Sequence, residues 1–191
     1  MNSDASGGFG GRPLRFRISS VSVEAIDFGI PEKKIKYISN CVEVNKESRI
    51  INEEFIVCCI GNLRKNKNHS FFINIMKDVI NEVPVAKGWI IGQPVDDEPN
   101  VHIELRNEIR THQLEGKVSL LGFQSNIIKL LKKCSVLVMP SKSEGMPNVV
   151  LEAMSIGIPV VSSNVGGLSQ LIYHGKNGLL CNIKNKNEFA D

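Results

Sequence analysis

The stretch SVLVMPSKSEGMPNVVLEAMSIGIPVVSS, residues 135–163, has the order strand, loop, helix, strand. Its two outer runs, 135–140 and 159–163, lack the polar alternation of a strand with one solvated face. The segment between them, 148–157, has the composition of a helix, and Gly157 suits its C-terminal cap. Apolar strands separated by single helices predict βαβ units. The stretch therefore predicts a parallel sheet with helices on both faces.

The same alternation runs from residue 55 towards the C-terminus. Short runs rich in β-branched and apolar residues predict further strands at 55–61, 87–92, 117–122 and 178–181. Segments with helical spacing predict helices at 69–83, 101–114, 126–134 and 168–175. The predicted fold class is α/β, a Rossmann-like parallel sheet. Its right-handed crossovers place the loops that follow the strands on one edge, where ligands bind in such folds. These loops are 61–68, 92–100, 122–125, 140–147 and 163–167.

The chain before residue 55 is organised differently. Residues 1–13 contain no apolar signal segment, and we expect a flexible leader or an expression remnant there. Residues 14–54 are expected to be the remnant of an interdomain segment, together with the first strand of the following domain. Three elements are predicted within them: a helix over 19–30, a strand over 34–39 and a polar loop over 42–54. Residues 55–191 are expected to form the Rossmann-like domain, cut at its C-terminal end.

The composition limits the class of protein. Of the 191 residues, 42% are hydrophobic and 23% charged, which is typical of a globular domain and not of a disordered chain. A net charge of +3 with scattered lysines does not indicate a nucleic-acid binder. The five cysteines include no C-x-x-C pair, so reduced, buried thiols are expected instead of disulfides or a zinc site. No apolar run approaches the ~20 residues of a membrane span, and we expect a cytoplasmic protein.

Two carboxylates, Glu144 and Glu152, stand eight positions apart at the predicted ligand edge. Pro147 suits the first position of the helix that follows. The first N–H groups of that helix then face the edge and favour an anion. Gly145 permits close approach of a ligand. Glu152 lies among apolar residues, where an unpaired carboxylate is costly. It therefore needs a partner such as a vicinal diol.

The loop GNLRKNKNHS, residues 61–70, follows the first strand on the same edge. Arg64 and Lys67 have the chemistry to hold phosphate oxygens, arginine as a bidentate fork and lysine as a point charge. We expect His69 to brace this loop in a structural role. The other histidines show no metal-ligand spacing, and no metal site is predicted.

These segments carry a family resemblance. PSKSEGMPNVVLEAMSIGIPVVSSNVGG, from residue 140 to 167, resembles the E-x7-E region of retaining family 4 glycosyltransferases, whose GT-B fold has two Rossmann-like domains. GNLRKNKNH resembles the phosphate-clamp loop of that family. The segments GFQSNIIKLLKKCSVLVMPS and LIYHGKNGLL resemble the parts before and after the motif. The resemblance covers about residues 16–183.

The resemblance implies a role for each matching residue. Glu144 would be the catalytic carboxylate and accept a hydroxyl of the transferred sugar, while Glu152 would take the ribose hydroxyls. Lys67 and Arg64 would hold the diphosphate; many relatives carry arginine where this chain has Asn62, and Arg64 is expected to take its place. The donor-binding residues implied in this way are Arg64, Lys67, Gly92, Phe123, Gly145, Met146, Pro147, Asn148, Val149 and Glu152. Of these, Gly92 and Phe123 would lie near the base.

The function implied by the resemblance is transfer of a sugar, with retention of configuration, from a nucleotide-diphosphate sugar to a saccharide or glycolipid acceptor. UDP is favoured over GDP as the donor nucleotide, and no cofactor or metal is implied. The acceptor-binding N-terminal domain of a GT-B enzyme would be missing, so this chain is expected to bind the donor but to be catalytically incomplete. In a full-length protein, peripheral attachment at the inner membrane face is expected.

Other classes fit less well. The rival interpretation is a vestigial or regulatory Rossmann-like binding module without transferase activity. A dinucleotide-dependent oxidoreductase would carry G-x-G-x-x-G after the first strand, and a P-loop NTPase would carry G-x-x-x-x-G-K-[ST]. Neither motif is present. A nucleotide-sugar epimerase with a related double-Rossmann fold would explain the Glu144–Glu152 pairing less well.

Overall fold

The structure, a computed structural model, describes residues 14–16, 29–37, 40–43 and 54–190. The chain divides into two units between Asn40 and Cys41. The helix predicted over 19–30 lies outside the described residues except for its last two positions. Most of the loop predicted over 42–54 lies outside them as well.

The first unit contains a small parallel pair of strands. Strand β1 (Leu14–Phe16) pairs with β2 (Ile35–Tyr37), and a 3-10 turn at Glu32–Lys34 leads into β2. We expected the strand over 34–39 to be the first strand of the main domain. It pairs with β1 instead and is not a member of the six-stranded sheet. The run KIKY, residues 34–37, alternates lysine with apolar residues, a sequence pattern typical of a strand with one solvated face and unlike that of the apolar strands at the centre of the main sheet.

The second unit alternates strands and helices in the predicted order. The strands are β3 (Ile56–Ile60), β4 (Lys87–Ile91), β5 (Val118–Gly122), β6 (Val136–Met139), β7 (Val160–Ser163) and β8 (Leu179–Cys181). The helices are α1 (His69–Glu82), α2 (Val101–Thr111), α3 (Ile127–Leu131), α4 (Asn148–Ser155), α5 (Leu168–Leu171) and α6 (Asn187–Ala190). Each element except α6 lies within the residues predicted for it.

All six strands of the main sheet are parallel and lie in the order β5-β4-β3-β6-β7-β8, which confirms the Rossmann-like prediction. The chain lays β4 and β5 outward on one side of β3. It then returns to place β6, β7 and β8 on the other side. The strand order therefore reverses between β3 and β6, and the loops that follow these two strands diverge there. In open α/β sheets this switch point is where ligands bind.

Two apolar layers cover the sheet, one on each face. Along β3, Val57 and Cys59 face one layer, whereas Ile56, Cys58 and Ile60 face the other, as the two-residue period of a strand requires. Helices α1 and α2 close the first layer, and α3, α4 and α5 close the second. Both faces are covered, which is why the central strands are apolar throughout.

Four of the five cysteines are buried, and none forms a disulfide. Cys58, Cys59, Cys134 and Cys181 are buried, Cys41 is exposed, and all five thiols are free. Within the described ranges, no helix has the length and apolar character needed to cross a membrane.

Candidate functional site

Two loops meet at the switch point: the β3–α1 loop (61–68) and the β6–α4 loop (140–147). The backbone N–H of Lys142 donates to the carbonyl of Asn66 at 2.8 Å. The side-chain amide of Asn68 donates to the carbonyl of Pro140 at 3.1 Å. The predicted clamp loop and the loop that carries the first carboxylate are therefore joined directly, although they are far apart in the sequence.

Lys67 and Glu144 form an ion pair between these loops. The Lys67 ammonium lies 2.7 Å from Oε1 and 2.8 Å from Oε2 of Glu144. Only 21% of the lysine side chain and 6% of the glutamate side chain are exposed. Ser141, which is buried, donates its hydroxyl to Oε1 of Glu144 at 2.7 Å. The structure thus brings together two of the predicted site residues and adds a third, Ser141, that the sequence did not single out.

Local sequence explains how Lys67 reaches this position. A single 3-10 turn, Lys65–Lys67, follows the extended residue Arg64, and Asn68 leaves the turn at φ 59°. Asparagine is one of the few residues that enter this left-handed region readily. Gly61 lies beside the lysine stem, because a Cβ there would come 3.3 Å from Cδ of Lys67. The glycine at the end of the strand leaves room for the stem.

The β7–α5 loop packs against the loop of Glu144. A Cβ on Gly166 would lie 1.9 Å from the carbonyl oxygen of Glu144, and one on Gly167 would lie 1.9 Å from that of Gly145. Gly166 also has φ +49°. We predicted that Gly145 admits a ligand. That remains a prediction. The structure shows in addition a close approach that the sequence did not reveal, between the pair Gly166–Gly167 and the carbonyls of Glu144 and Gly145.

Helix α4 carries the second carboxylate. We expected Pro147 at its first position, but Pro147 is the N-cap, with φ −72° and ψ 119°, and the helix begins at Asn148. The proline ring restricts only φ, so an extended ψ is allowed, and its carbonyl accepts from the N–H of Val150 as an N-cap should. Met146 is buried, Asn148 is exposed, and Val149 is half-buried.

Glu152 differs from Glu144 in its environment. It is half-buried, and burial raises the pKa of its carboxyl above the ordinary value. Among the described residues, its carboxylate has no hydrogen-bond or ion-pair partner. A carboxylate that is partly desolvated and unpaired has the capacity to accept hydrogen bonds.

Arg64 is not brought to the Lys67–Glu144 pair. Its guanidinium forms a salt bridge of 2.9 Å with Asp97 on the loop after β4, and both side chains are substantially exposed. The neighbouring Glu98 accepts the backbone N–H of Lys65 at 2.7 Å. An acidic loop, Asp96 to Glu98, therefore holds the outer side of the clamp loop. The run of three carboxylates is the sequence signal for it.

Gly92 and Phe123, the two residues expected near the base, follow β4 and β5, the two strands that lie beyond β3 in the sheet. Gly92 follows β4, and a Cβ there would lie 1.9 Å from the carbonyl oxygen of Gly61, so this glycine allows the two loop starts to touch. Phe123 follows β5 and is 67% exposed. Its ring is an apolar surface on the edge of the sheet with little contact to the protein.

His69, at the start of α1, braces the clamp loop from below. Its Nε2 lies 3.2 Å from the carbonyl of Asn62, and its Nδ1 lies 3.4 Å from the Cys59 thiol. A carbonyl only accepts, so Nε2 carries the proton and Nδ1 accepts from the thiol. Burial lowers the pKa of His69 and raises that of Cys59 to about 12, so both are neutral. This agrees with the structural role predicted for His69.

Comparison with known proteins identifies relatives of this chain. A family model described as glycosyl transferases group 1 matches residues 42–191. The chain is 29% identical over 160 residues to an N-acetyl-alpha-D-glucosaminyl L-malate synthase of Bacillus anthracis, covering 84% of this chain and 40% of that protein. It is 29% identical over 178 residues to an Escherichia coli UDP-Gal:alpha-D-GlcNAc-diphosphoundecaprenol alpha-1,3-galactosyltransferase, covering 83% and 44%. The chain thus spans less than half the length of these relatives.

Solved structures show the same fold. The crystal structure of Anabaena HepE in complex with UDP-glucose superposes with a TM-score of 0.84 at 24% identity, over 94% of this chain and 52% of that one. Staphylococcus aureus TarM, in a complex that contains UDP, gives a TM-score of 0.80 at 24% identity, over 94% of this chain and 35% of that one.

Proposed function

Because the chain belongs to the glycosyl transferases group 1 family, we propose that it binds a nucleotide-diphosphate sugar at the switch-point edge and serves in transfer of that sugar with retention of configuration. The observation that carries the proposal is the meeting of Lys67 with Glu144 where the strand order reverses. A cation and a carboxylate held together at the ligand edge suit a donor that has both phosphate charge and sugar hydroxyls.

The roles proposed for the residues follow their chemistry. Lys67 holds the diphosphate as a point charge, and the backbone amides around Met146 to Val150, at the N-terminus of α4, bind the distal phosphate. Because a helix N-terminus favours negative charge, it stabilises the diphosphate most as that group departs. Glu152 accepts the ribose hydroxyls. Glu144 accepts a hydroxyl of the transferred sugar and is the catalytic residue.

The ion pair implies an exchange of partners. For Lys67 to hold phosphate oxygens, its ammonium must leave at least one oxygen of Glu144, which then becomes available for a sugar hydroxyl. Arg64 would exchange Asp97 for phosphate in the same way. That pair is exposed, so the exchange costs little. The departing diphosphate is stabilised by these protein groups, and the proposal includes no metal or cofactor.

UDP is proposed as the nucleotide in preference to GDP, since the names of the E. coli relative and of the HepE and TarM structures include UDP. The acceptor is proposed to be a saccharide or glycolipid; the E. coli relative is named for a diphosphoundecaprenol-linked one. We propose that this chain is the donor-binding, C-terminal half of a family 4 GT-B enzyme. An acceptor-binding domain would be required in addition, so the chain alone transfers poorly or not at all. The full protein would act in the cytoplasm at the inner membrane face.

Calorimetric titration of the 191-residue chain with UDP, GDP and ADP tests the proposal. We expect UDP to bind with a dissociation constant between micromolar and millimolar. Glu152→Ala should weaken UDP binding about tenfold, because a hydrogen-bonded charged group is lost. Glu104→Ala, on the exposed face of α2, is the matched control and should bind like the unchanged chain. If no nucleotide binds to the folded chain, the rival interpretation as a vestigial or regulatory module is favoured.

A further inference from the structure

We infer that Ser141 is a positioning residue that holds the Glu144 carboxylate in place while Lys67 changes its partner. The inference rests on the proposed function, because it assigns the orientation of the carboxylate that is to accept a sugar hydroxyl. It concerns a side chain that lies outside the predicted E-x7-E pair and outside the predicted phosphate clamp.

The two oxygens of Glu144 are not equivalent. Oε1 accepts from the Ser141 hydroxyl at 2.7 Å and from the Lys67 ammonium at 2.7 Å. Within the described part of the chain, Oε2 accepts from Lys67 alone, at 2.8 Å. A carboxylate oxygen takes about two hydrogen bonds. Oε1 is therefore saturated, and Oε2 is the oxygen with capacity for a ligand hydroxyl.

Ser141 is itself held firmly. It is 1% exposed, and its carbonyl accepts from the hydroxyl of Ser163, which is fully buried at the end of β7. The Ser163 hydroxyl also lies 3.3 Å from the carbonyl of Met139. One serine at the end of β7 thus fixes the backbone at the end of β6, and the backbone fixes the hydroxyl that contacts Glu144.

This arrangement matters when the diphosphate draws the ammonium away. The terminal torsion of a glutamate is broad, so a carboxylate held by a mobile partner alone would turn freely. The Ser141 hydrogen bond does not depend on Lys67, and it remains after the ammonium moves. Oε1 stays bound to Ser141, and Oε2 stays aimed at the space that the ammonium has left.

The test compares binding of a nucleotide with binding of a nucleotide sugar. UDP lacks the transferred sugar that is proposed to contact Glu144, whereas UDP-glucose, UDP-galactose and UDP-N-acetylglucosamine carry one. The full chain and its Ser141→Ala variant are titrated calorimetrically with all four, and the UDP-sugar that the unchanged chain binds most tightly is used for comparison. The control is Ser162→Ala, which also removes a fully buried hydroxyl; among residues 54–190 that hydroxyl bonds to the carbonyl of Ser163 and not to Glu144.

In Ser141→Ala we expect the affinity for UDP to change less than about threefold. The advantage of the UDP-sugar, meaning the ratio of its affinity to that of UDP, should fall about tenfold, because one hydrogen bond to a charged group is lost. Ser162→Ala should keep that advantage. The inference is overturned if Ser141→Ala keeps the advantage, or if it weakens UDP and the UDP-sugar equally, since the serine would then act only on the fold. It is also overturned if the unchanged chain binds UDP but no UDP-sugar more tightly. If the unchanged chain binds neither, it is the proposed function that fails.

Discussion

Glu144 and Glu152 are eight residues apart, one in the β6–α4 loop and the other in helix α4, and their environments are opposite. The Glu144 side chain is 6% exposed and receives hydrogen bonds from Lys67 and Ser141. Glu152 is half-buried and, among the described side chains, unpartnered, so burial raises the pKa of its carboxyl. The first carboxylate is satisfied by the protein before any ligand arrives, and the second is not.

The difference indicates how the site would use a ligand. A donor that draws the Lys67 ammonium to its phosphates removes one partner of Glu144, so the contact between the donor and Glu144 contributes more to orientation than to affinity. A ligand that binds Glu152 satisfies a carboxylate that the fold leaves unpaired, so that contact contributes to affinity. The first position requires a surrounding structure that keeps Glu144 in place. The second requires only that α4 be formed.

The largest expected effect comes from breaking the support of Glu144. In Gly166→Ala, the new Cβ would meet the carbonyl oxygen of Glu144, at a residue whose φ is +49°. We expect the free energy of unfolding to fall by about 3 kcal/mol, the sum of backbone strain and overpacking, measured by urea denaturation. Gly175→Ala is the matched control, with φ +75° but open space around it, and should lose about 1 kcal/mol. Equal losses in the two variants would contradict the close packing.

The second prediction concerns the ion pair itself. Lys67→Met leaves the almost fully buried Glu144 carboxylate without its cation, and we expect a loss of about 2 kcal/mol in the free energy of unfolding. Adding Glu144→Gln should restore part of this loss, because the unpaired charge is then gone. The exposed pair offers a control: Arg64→Met removes the partner of Asp97 and should cost less than about 1 kcal/mol. A double-mutant cycle with no coupling between Lys67 and Glu144 would argue against the pair.

The third prediction tests the brace beneath the clamp loop. Burial lowers the pKa of His69 below 6.5. As the pH falls below 6.5, His69 therefore becomes protonated in the unfolded chain before it does in the folded chain. Stability from this residue is fully present above pH 6.5 and is lost as the pH falls below it, by at most about 1.4 kcal/mol per pH unit. Unfolding by urea at pH 7.5, 6.5 and 5.5 should show a smaller decline in His69→Gln. An identical decline in both proteins would mean that His69 does not titrate as described.

The smallest effect is expected at Glu152. Because its folded-state pKa is raised, its ionised form destabilises the fold as the pH rises through that pKa, and the effect is absent in acid well below 4.5. Glu152→Gln should therefore raise the free energy of unfolding at pH 7 by a fraction of a kcal/mol, with no gain at pH 3. The gain is small because solvent screens a half-buried carboxylate. Glu104→Gln, on an exposed helix face, should show no gain. A loss of stability in Glu152→Gln at pH 7 would mean that the carboxylate has a protein partner.

The fold was predictable because strands buried on both faces and helices with one apolar face leave local patterns in the sequence. The positions of Glu144, Lys67 and Glu152 at one edge followed from the parallel sheet. The contact between Lys67 and Glu144 could not be predicted in this way. Lys67 and Glu144 are 77 residues apart, and which cation meets which carboxylate depends on the side-chain packing of two loops.

Most of the unpredicted features are of this long-range kind, whereas the Ser141–Glu144 hydrogen bond and the N-cap at Pro147 are local. Arg64 pairs with Asp97, 33 residues away, instead of joining Lys67. Gly166, in the β7–α5 loop, and Ser163, at the end of β7, contact the loop of Glu144, and the sequence does not show which partners they meet. The strand at Ile35–Tyr37 was predicted, but its pairing with Leu14–Phe16 depends on a partner that local pattern cannot identify.

A crystal structure of this chain with UDP is the most direct test of the central claim. The claim is that a donor binds at the switch-point edge and replaces Glu144 as the partner of the Lys67 ammonium. The expected result is a diphosphate between the Lys67 ammonium and the N-terminal turn of α4, with ribose hydroxyls on Glu152 and with Glu144 still bonded to Ser141. UDP bound elsewhere, or bound at this edge with the Lys67–Glu144 pair intact and Glu152 untouched, would contradict it.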